Sequence, residues 1–411
     1  MHNSLNKFKI IDFSKPSWMK VFMLLSLCLP TFLIFPMAHA DENDPINFIA
    51  GISRVHDNNL FRESTMERSD NITTAYAGVR LDKQYSMQRF KADFTLTAYR
   101  YQKYDVLDFD AKDYKGAWLW KLTPYLSGTL SADRKQQLTT FEDYRNLSVV
   151  TLQNVRVSEN QHFEADFSPH GIWHLLGGAT RSTQSNSKTF QAEDSFTMNA
   201  LDAGVKYDFR SGSSITLMGH ERRGNYEDRT INTATLFDTK FDESEAEAKL
   251  SWLISGKSQV NARAAYVTRN HDNFSQRDYS GVVGRVDYRW MPAGKLSITA
   301  SASSDLSSFQ TDYSSYTRNN TLSISPVYAL SDKISMRATA SASERTFLGE
   351  VGISINNGRV DTSKSISLGV DWTPLRSVTI GANLARSSRS SNLAGFDFTD
   401  TTAGLNANLF F

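Results

Sequence analysis

Five histidines, His162, His170, His174, His220 and His271, are the side chains on which acid–base or metal chemistry would have to be built, because the chain has only one cysteine. Their spacing argues against such chemistry. His170 and His174 stand four apart, the interval of a shared helical face, in a stretch that reads as strand and turn. His162 and His174 could meet across a hairpin, yet no glutamate-containing zinc motif accompanies them. Gly219-His220-Glu221-Arg222 lacks the partners of a zinc protease. Serine is so frequent that pairing one with a histidine carries no specificity. The expectation is a protein that is not an enzyme, with no catalytic residues, no metal and no cofactor.

The other charged residues follow a different rule. Lys91 with Asp93, Asp202 with Lys206, Glu247 with Lys249, and Arg285 and Arg289 with Asp287 recur at even spacings within segments whose intervening positions are apolar. Residues two apart on a strand share a face. With Arg263 and Arg337, placed by the same parity, they are the candidate lining of an aqueous lumen. Mixed signs do not make a strongly ion-selective pore, and they suit a polar, uncharged solute such as a sugar chain. They could equally knit the inner wall together.

Strands must position these residues. The chain ends on TAGLNANLFF, in which Ala403, Leu405, Ala407, Leu409 and Phe411 fall on one side and Thr402, Gly404, Asn406 and Asn408 on the other, with Phe410 breaking the pattern. SVTIGANLA, SISLGVDW, ISMRATASA and LSITASAS alternate in the same way, as do AEAKLSWL, LDAGVKYDF, HFEADF, LSGTLSAD and FKADFTLTA further upstream. Helical stripes hardly occur, so the chain reads as all-β. Short turn signals lie near Tyr85-Ser86, Leu122-Thr123-Pro124, Pro169-His170-Gly171, Ser211-Gly212, Ser255-Gly256, Pro292-Ala293-Gly294, Ser331-Asp332 and Thr373-Pro374. Between them lie longer, more polar loops, which gives a count of about eighteen strands. A repeat near forty residues also suits a β-propeller, but a blade packs four short strands into that length and no blade signature recurs.

The start of the chain sets the compartment. Lys7, Lys9, Lys15 and Lys20 precede the uncharged run VFMLLSLCLPTFLIFPM, then Ala38-His39-Ala40 and an acidic stretch. This is the layout of a secretory signal peptide, with cleavage expected after Ala40. Residues 1–40 are therefore the predicted signal peptide and 41–411 the barrel. The single cysteine, Cys28, lies inside the apolar run after Leu27, where a lipoprotein signal would want a small residue. The mature chain then has no cysteine and no disulfide staples. Removing four Lys and one Asp from the totals of 45 and 44 leaves 41 basic against 43 acidic residues, no charge surplus for nucleic acid.

Lipid on the apolar side explains the rest. Ser, Thr, Asn and Gly fill the polar walls, a composition for a wet lumen, and aromatics recur beside the short turns: Tyr207, Phe209, Trp252, Tyr288, Trp290, Trp372, Phe410 and Phe411. Strands cross hydrocarbon only as a closed barrel with no free edge. The expected fold is a transmembrane antiparallel up-and-down β-barrel. Its expected place is the outer membrane of a Gram-negative bacterium, with outer-membrane lipid and the barrel assembly machinery as partners. The last strand should close against INFIAGIS, and Phe411 resembles the C-terminal aromatic signal of outer-membrane barrels.

GISRVHDNNLFRES, AGVRLDKQYSMQRFKADFTLTAYRY, YDVLDFDAKDYKGAWLWKL and FEADFSPHGIWHLLGGATRS carry a family resemblance. They resemble EpsL, the exosortase-associated outer-membrane protein of exopolysaccharide biosynthesis loci. The resemblance implies a passive conduit or accessory in polysaccharide export, with polysaccharide and other export components as partners. Within it, Asp57-Asn58-Asn59-Leu60-Phe61-Arg62 holds no obvious chemistry and reads as a polar turn fastened by Leu60 and Phe61. The competing expectations are a general diffusion porin and a structural or adhesive surface barrel.

Overall fold

The computed structural model describes residues 44–143, 153–188, 195–311, 313–352 and 358–411. The predicted signal peptide, residues 1–40, lies outside the described residues. The first six strands are β1 (Ile46–Asp57), β2 (Asp70–Tyr85), β3 (Gln88–Tyr101), β4 (Phe109–Thr123), β5 (Leu126–Leu138) and β6 (Val155–Phe167). Then come β7 (Trp173–Asn186), β8 (Phe196–Asp208), β9 (Ser214–Tyr226), β10 (Lys240–Ser255), β11 (Ser258–His271) and β12 (Tyr279–Ala293). The last are β13 (Leu296–Ser308), β14 (Tyr316–Ser331), β15 (Ile334–Leu348), β16 (Val360–Leu375), β17 (Val378–Ser391) and β18 (Phe398–Phe410). Each pairs antiparallel with its neighbour in sequence, and β1 also pairs with β18. The sheet therefore closes into an up-and-down barrel of eighteen strands, with no unpaired edge.

Strand β10 shows why the chain folds this way. Glu243, Glu245 and Glu247 are buried on one face, while Leu250 and Trp252 on the other are exposed. The same inversion recurs around the barrel: Leu201, Leu322, Leu405 and Val282 are each more than 60% exposed. Contiguous apolar surface on this scale far exceeds the patches of about 300–600 Å² found on soluble monomers. Hydrocarbon is the solvent that suits it. Phe209, Trp252, Tyr288, Trp290, Trp372 and Phe411 lie exposed at the short-turn end, as a girdle requires. Phe410 departs from that expectation. Its parity turns it into the lumen, where the Arg80 guanidinium lies 5.9 Å from its ring centroid.

The chain end closes the wall. Phe411 N–H donates to the Phe48 carbonyl at 3.0 Å, Phe48 N–H donates back, and the two rings stack 6.1 Å apart. The tight turns fall where expected, with shifts of a residue or two. Thr373-Pro374 stands inside β16, and the reversal comes at Arg376-Ser377. A register shift between Trp372 and Leu375 lets Pro374 sit where no ladder N–H is needed. Similar shifts follow Lys121 and Trp290.

Two parts of the barrel are built alike. Asp70 accepts from the Lys103 and Tyr104 N–H groups at 2.9 and 3.3 Å, and Asp238 accepts from Asn273 and Phe274 at 2.5 and 3.2 Å. In each case one 3₁₀ turn follows, Asp105–Leu107 or Ser275–Arg277. Asp108 then accepts from Tyr101 N–H and Asp278 from His271 N–H, both at 2.7 Å. Beyond each turn a ladder stops short. Phe109–Asp113 of β4 has no partner on β5, and Tyr279–Val283 of β12 has none on β13.

Candidate functional site

The candidate lining residues all lie on the polar parity of their strands, opposite the exposed apolar residues. Their partners are only partly those expected. Glu247 with Lys249 at 2.5 Å and Arg285 with Asp287 at 2.7 Å pair along one strand as the spacing suggests. Lys91 and Asp93 do not pair with each other. Lys91 lies 3.7 Å from Asp82 and Asp93 takes Arg80 at 2.7 Å, each directly opposite on β2. Asp202 pairs with His220 and Lys206 with Asp208, so the expected Asp202–Lys206 pair is absent. Arg289, on the polar face of β12, has no ion pair among the described residues, and Arg337 pairs with Asp371 across the β15–β16 ladder. For Lys91, Asp93 and Asp202 the cause is geometric, because each has a partner directly opposite on the next strand.

On β8 to β11 these contacts join into one network. Asp202 meets His220, and His220 reaches Glu247 at 3.4 Å. Glu247 and Glu245 both take Arg263, Glu245 and Glu243 both take Arg222 at 2.8 Å, and Glu243 takes Arg269 at 2.7 Å. Arg269 also lies over the Phe241 ring, 3.9 Å from its centroid. His220, Glu245 and Glu247 present ligand atoms within 4.8 Å of one another, a spacing a metal could span. Their carboxylates are already committed to guanidinium and ammonium groups, which makes the set a cross-linked wall.

Residues 139–143, which follow β5, turn inward. Phe141 packs with Leu60, Phe61 and Leu107 in an apolar cluster, so the Asp57–Arg62 turn is its seat. That turn is self-fastened: Arg62 pairs with Asp57 at 2.9 Å, and buried Asn59 donates to the Glu63 and Thr399 carbonyls. Beyond Phe141, Asp143 takes Arg345 at 2.8 Å, Arg359 at 2.9 Å and Arg389 at 3.6 Å. Burial pushes the Asp143 carboxyl up, but the three guanidiniums outweigh it and hold the group below the usual carboxylate range. Arg359 and Arg389 also share Asp361, and Arg389 donates to the Glu142 carbonyl. Residues 139–143 thus reach toward β15, β16 and β17. A cavity of about 760 Å³ remains beside them, lined by Glu142, Asp143, Arg222, Arg263, Arg269 and Phe241 among others. Nothing in the sequence flags this arrangement, since Asp143 lies more than 200 residues from its arginines.

The histidines stay apart. His162 meets Thr180 at 2.8 Å, and His174 lies between Asp166 at 2.8 Å and Asp208 at 3.0 Å. Ser168 is 3.5 Å from His174 Nε2, the nitrogen Asp208 already occupies. Buried His271 faces Asp278 and Gln310.

A family described as "Putative beta-barrel porin 2" matches residues 242–411, from within β10 to the end. OpdK of Pseudomonas aeruginosa superposes with a TM-score of 0.51 at 10% identity, covering 89% of this chain and 99% of that one. The barrel has a porin-like fold. OccK2 (OpdF) of the same organism, solved in complex with glucuronate, gives 0.51 at 10% identity over 90% of this chain and 99% of that one. OpdK with vanillate gives 0.50 at 9% over 89% and 99%. No curated protein matches the chain. The matched segment begins at residue 242, after the strands that carry the EpsL resemblance.

Proposed function

We propose that this chain is a diffusion porin of a Gram-negative outer membrane, passing small polar solutes and carrying out no covalent chemistry. The observation that supports it most is the inward loop. Asp143, tied to three arginines of the facing wall, narrows a lumen that eighteen strands would otherwise leave wide. Mixed charges around the 760 Å³ cavity favour polar solutes of sugar size over one ion sign. The neighbours solved with glucuronate and vanillate extend the reading to small carboxylates. Swelling of liposomes holding the purified protein, with sugars of increasing size, tests it. Small sugars should enter and oligosaccharides should not; exclusion of every sugar would overturn it.

A role in exopolysaccharide export would rest on the resemblance of the first strands alone. A polymer threading this barrel would have to displace a loop tied at Phe141 and at Asp143. Deleting the gene and weighing extracellular polysaccharide separates the readings, with unchanged secretion expected here.

A further inference from the structure

Four of the short turns end one repeated stretch: WLISGK (252–257), WMPAGK (290–295), YALSDK (328–333) and WTPLRS (372–377). Each begins on an exposed ring, passes a register shift and finishes in a two-residue turn. Lys257, Lys295 and Lys333 close three of them, and Arg376 stands one place earlier in the fourth. The β8–β9 turn adds Arg210 beside exposed Phe209. All five cations are exposed, and none has an ion pair among the described residues. Arg80, Arg222, Arg263 and Arg337 of the lumen are each paired. Asp332 is the one acidic residue in the five turns. The turns between β2 and β7, at Ser86-Met87, Pro124-Tyr125 and residues 168–172, contain no lysine or arginine. The exposed outward cation nearest them is Lys83, inside β2.

The backbone holds the three lysines alike. The Lys257, Lys295 and Lys333 carbonyls accept from the Met291, Ala329 and Thr373 N–H groups of the neighbouring strand, each at 2.8 Å. Lys295 Nζ and Lys333 Nζ reach along the rim to the Leu330 and Pro374 carbonyls, at 3.4 and 3.1 Å. A carbonyl takes one of an ammonium's three protons and leaves two for an anion. From Trp252 to the strand end at Ser255 is about 10 Å of chain at 3.4 Å per residue, and strand tilt shortens that along the membrane normal. With the rings at the edge of the hydrocarbon, the cations stand at the depth of the headgroups. WKLTPY (120–125) repeats the pattern on the other arc, with the Tyr125 carbonyl accepting from Ser168 N–H at 2.7 Å as Lys257 does from Met291. Tyrosine therefore fills the cation's place there.

We propose that the arc of the rim from the β8–β9 turn to the β16–β17 turn binds anionic phospholipid headgroups of the leaflet on the short-turn side. Each ring-and-cation unit takes one phosphate at the cation and lays the acyl chains against the ring below. Successive turns are two strands apart, about 10 Å at 4.8 Å per strand, so the units stand as separate sites. The rings decide for lipid over an acidic soluble protein, since Trp252, Trp290, Tyr328 and Trp372 face outward on the apolar belt directly beneath the cations. The arc rests on the barrel standing in a bilayer and not on what crosses the lumen.

The test is photolabelling of the intact protein in phosphatidylcholine liposomes, with a diazirine on the acyl chain of phosphatidylglycerol in one arm and of phosphatidylcholine in the other. Adducts are mapped by mass spectrometry, and the ratio of the two labels is read at each ring. At Trp252, Trp290, Tyr328 and Trp372 the ratio should exceed that at Leu122 and Trp173 about fivefold, the factor that one cation near an anionic surface carries. The excess should shrink between about 0.1 M and about 1 M KCl, as the screening length falls from about 10 to about 3 Å. R210Q/K257Q/K295Q/K333Q/R376Q should lose the excess and keep its folded band on an unboiled gel. Y125K should create an excess at Leu122, and it decides alone if the five-site variant does not fold. Equal ratios on the two arcs would overturn the proposal and leave the cations to an acidic protein. So would an excess that survives the five substitutions, or a Y125K protein that gains none. Absence of both labels from the whole belt would overturn the bilayer placement and the arc with it.

Discussion

The inner wall of the barrel has two unlike halves. From β8 to β11 it is made of long charged side chains cross-linked to one another, Glu243, Glu245 and Glu247 against Arg222, Arg263 and Arg269. From β13 to β16 the middle of the wall is hydroxyls, where Ser325 meets Thr339 at 3.2 Å and Ser341 meets Ser365 at 2.7 Å. Charge returns at the loop end of this side, as Arg345 on β15, Arg359 just before β16 and Arg389 on the adjoining β17. Asp361 is the acid their own wall offers Arg359 and Arg389, so the loop's Asp143 supplies what is missing. The difference explains which way the loop leans. Short side chains leave it room, and unbalanced arginines give it an anchor. The charged half, already neutralised within itself, has nothing left to hold a loop.

The largest effect should come from removing that anchor. In D143A, Arg359 keeps Asp361 and Arg389 keeps Asp361 and Glu142, and removing one partner of a buried ion pair costs about 3–5 kcal/mol. Loop release should raise single-channel conductance and enlarge the sugar size that passes. A channel of wild-type conductance would break the comparison, because the loop would then be held from elsewhere.

Acid should do the same reversibly. Asp143 is held below its ordinary value in the folded protein, so its contribution is complete above the unfolded pKa of about 3.9 and is lost as pH falls through the lower folded value. Conductance should therefore be steady from pH 7 to pH 5 and rise only in stronger acid, and D143N should lack that rise. A transition near pH 6 would point to a histidine instead.

A smaller effect is expected in the charged half. E245Q leaves Arg222 with Glu243 and Arg263 with Glu247, so each guanidinium keeps one carboxylate. Losing a charged acceptor costs about 1.5–3 kcal/mol. The folded band on an unboiled gel should persist but melt at lower temperature, and reversal potentials should shift toward anions. Equal loss in D143A and E245Q would mean that neither half is self-contained.

Much of this frame could be read from residue order. Period-2 alternation marks the strands because each one separates lipid from water, and Glu247–Lys249 and Arg285–Asp287 were legible because both partners lie on one strand. Lys91 and Asp93 share that spacing yet pair elsewhere, since Asp82 and Arg80 stand directly opposite and register is invisible in a single strand. Phe410 misled because composition at a strand end does not say which way a ring points. The inward loop was beyond reach, because its contacts join residues far apart in sequence that only barrel closure brings together. Asp57–Arg62 was read as a fastened turn, and it is one, but its service as the seat for Phe141 needed the loop to be seen.

The smallest effect should come from the hydroxyl half, and it is the sharpest check on the asymmetry. S341A/S365A removes one wet hydrogen bond between small side chains, worth about 0.5 kcal/mol where water can substitute. No charge changes and little volume opens, so conductance, ion preference and melting should all match the wild type. If selectivity moved as far as in E245Q, the serines would have to orient the water through which ions pass. The two halves would then share in setting the field, one with fixed charges and one with ordered solvent, and the loop's lean would need a cause other than charge balance.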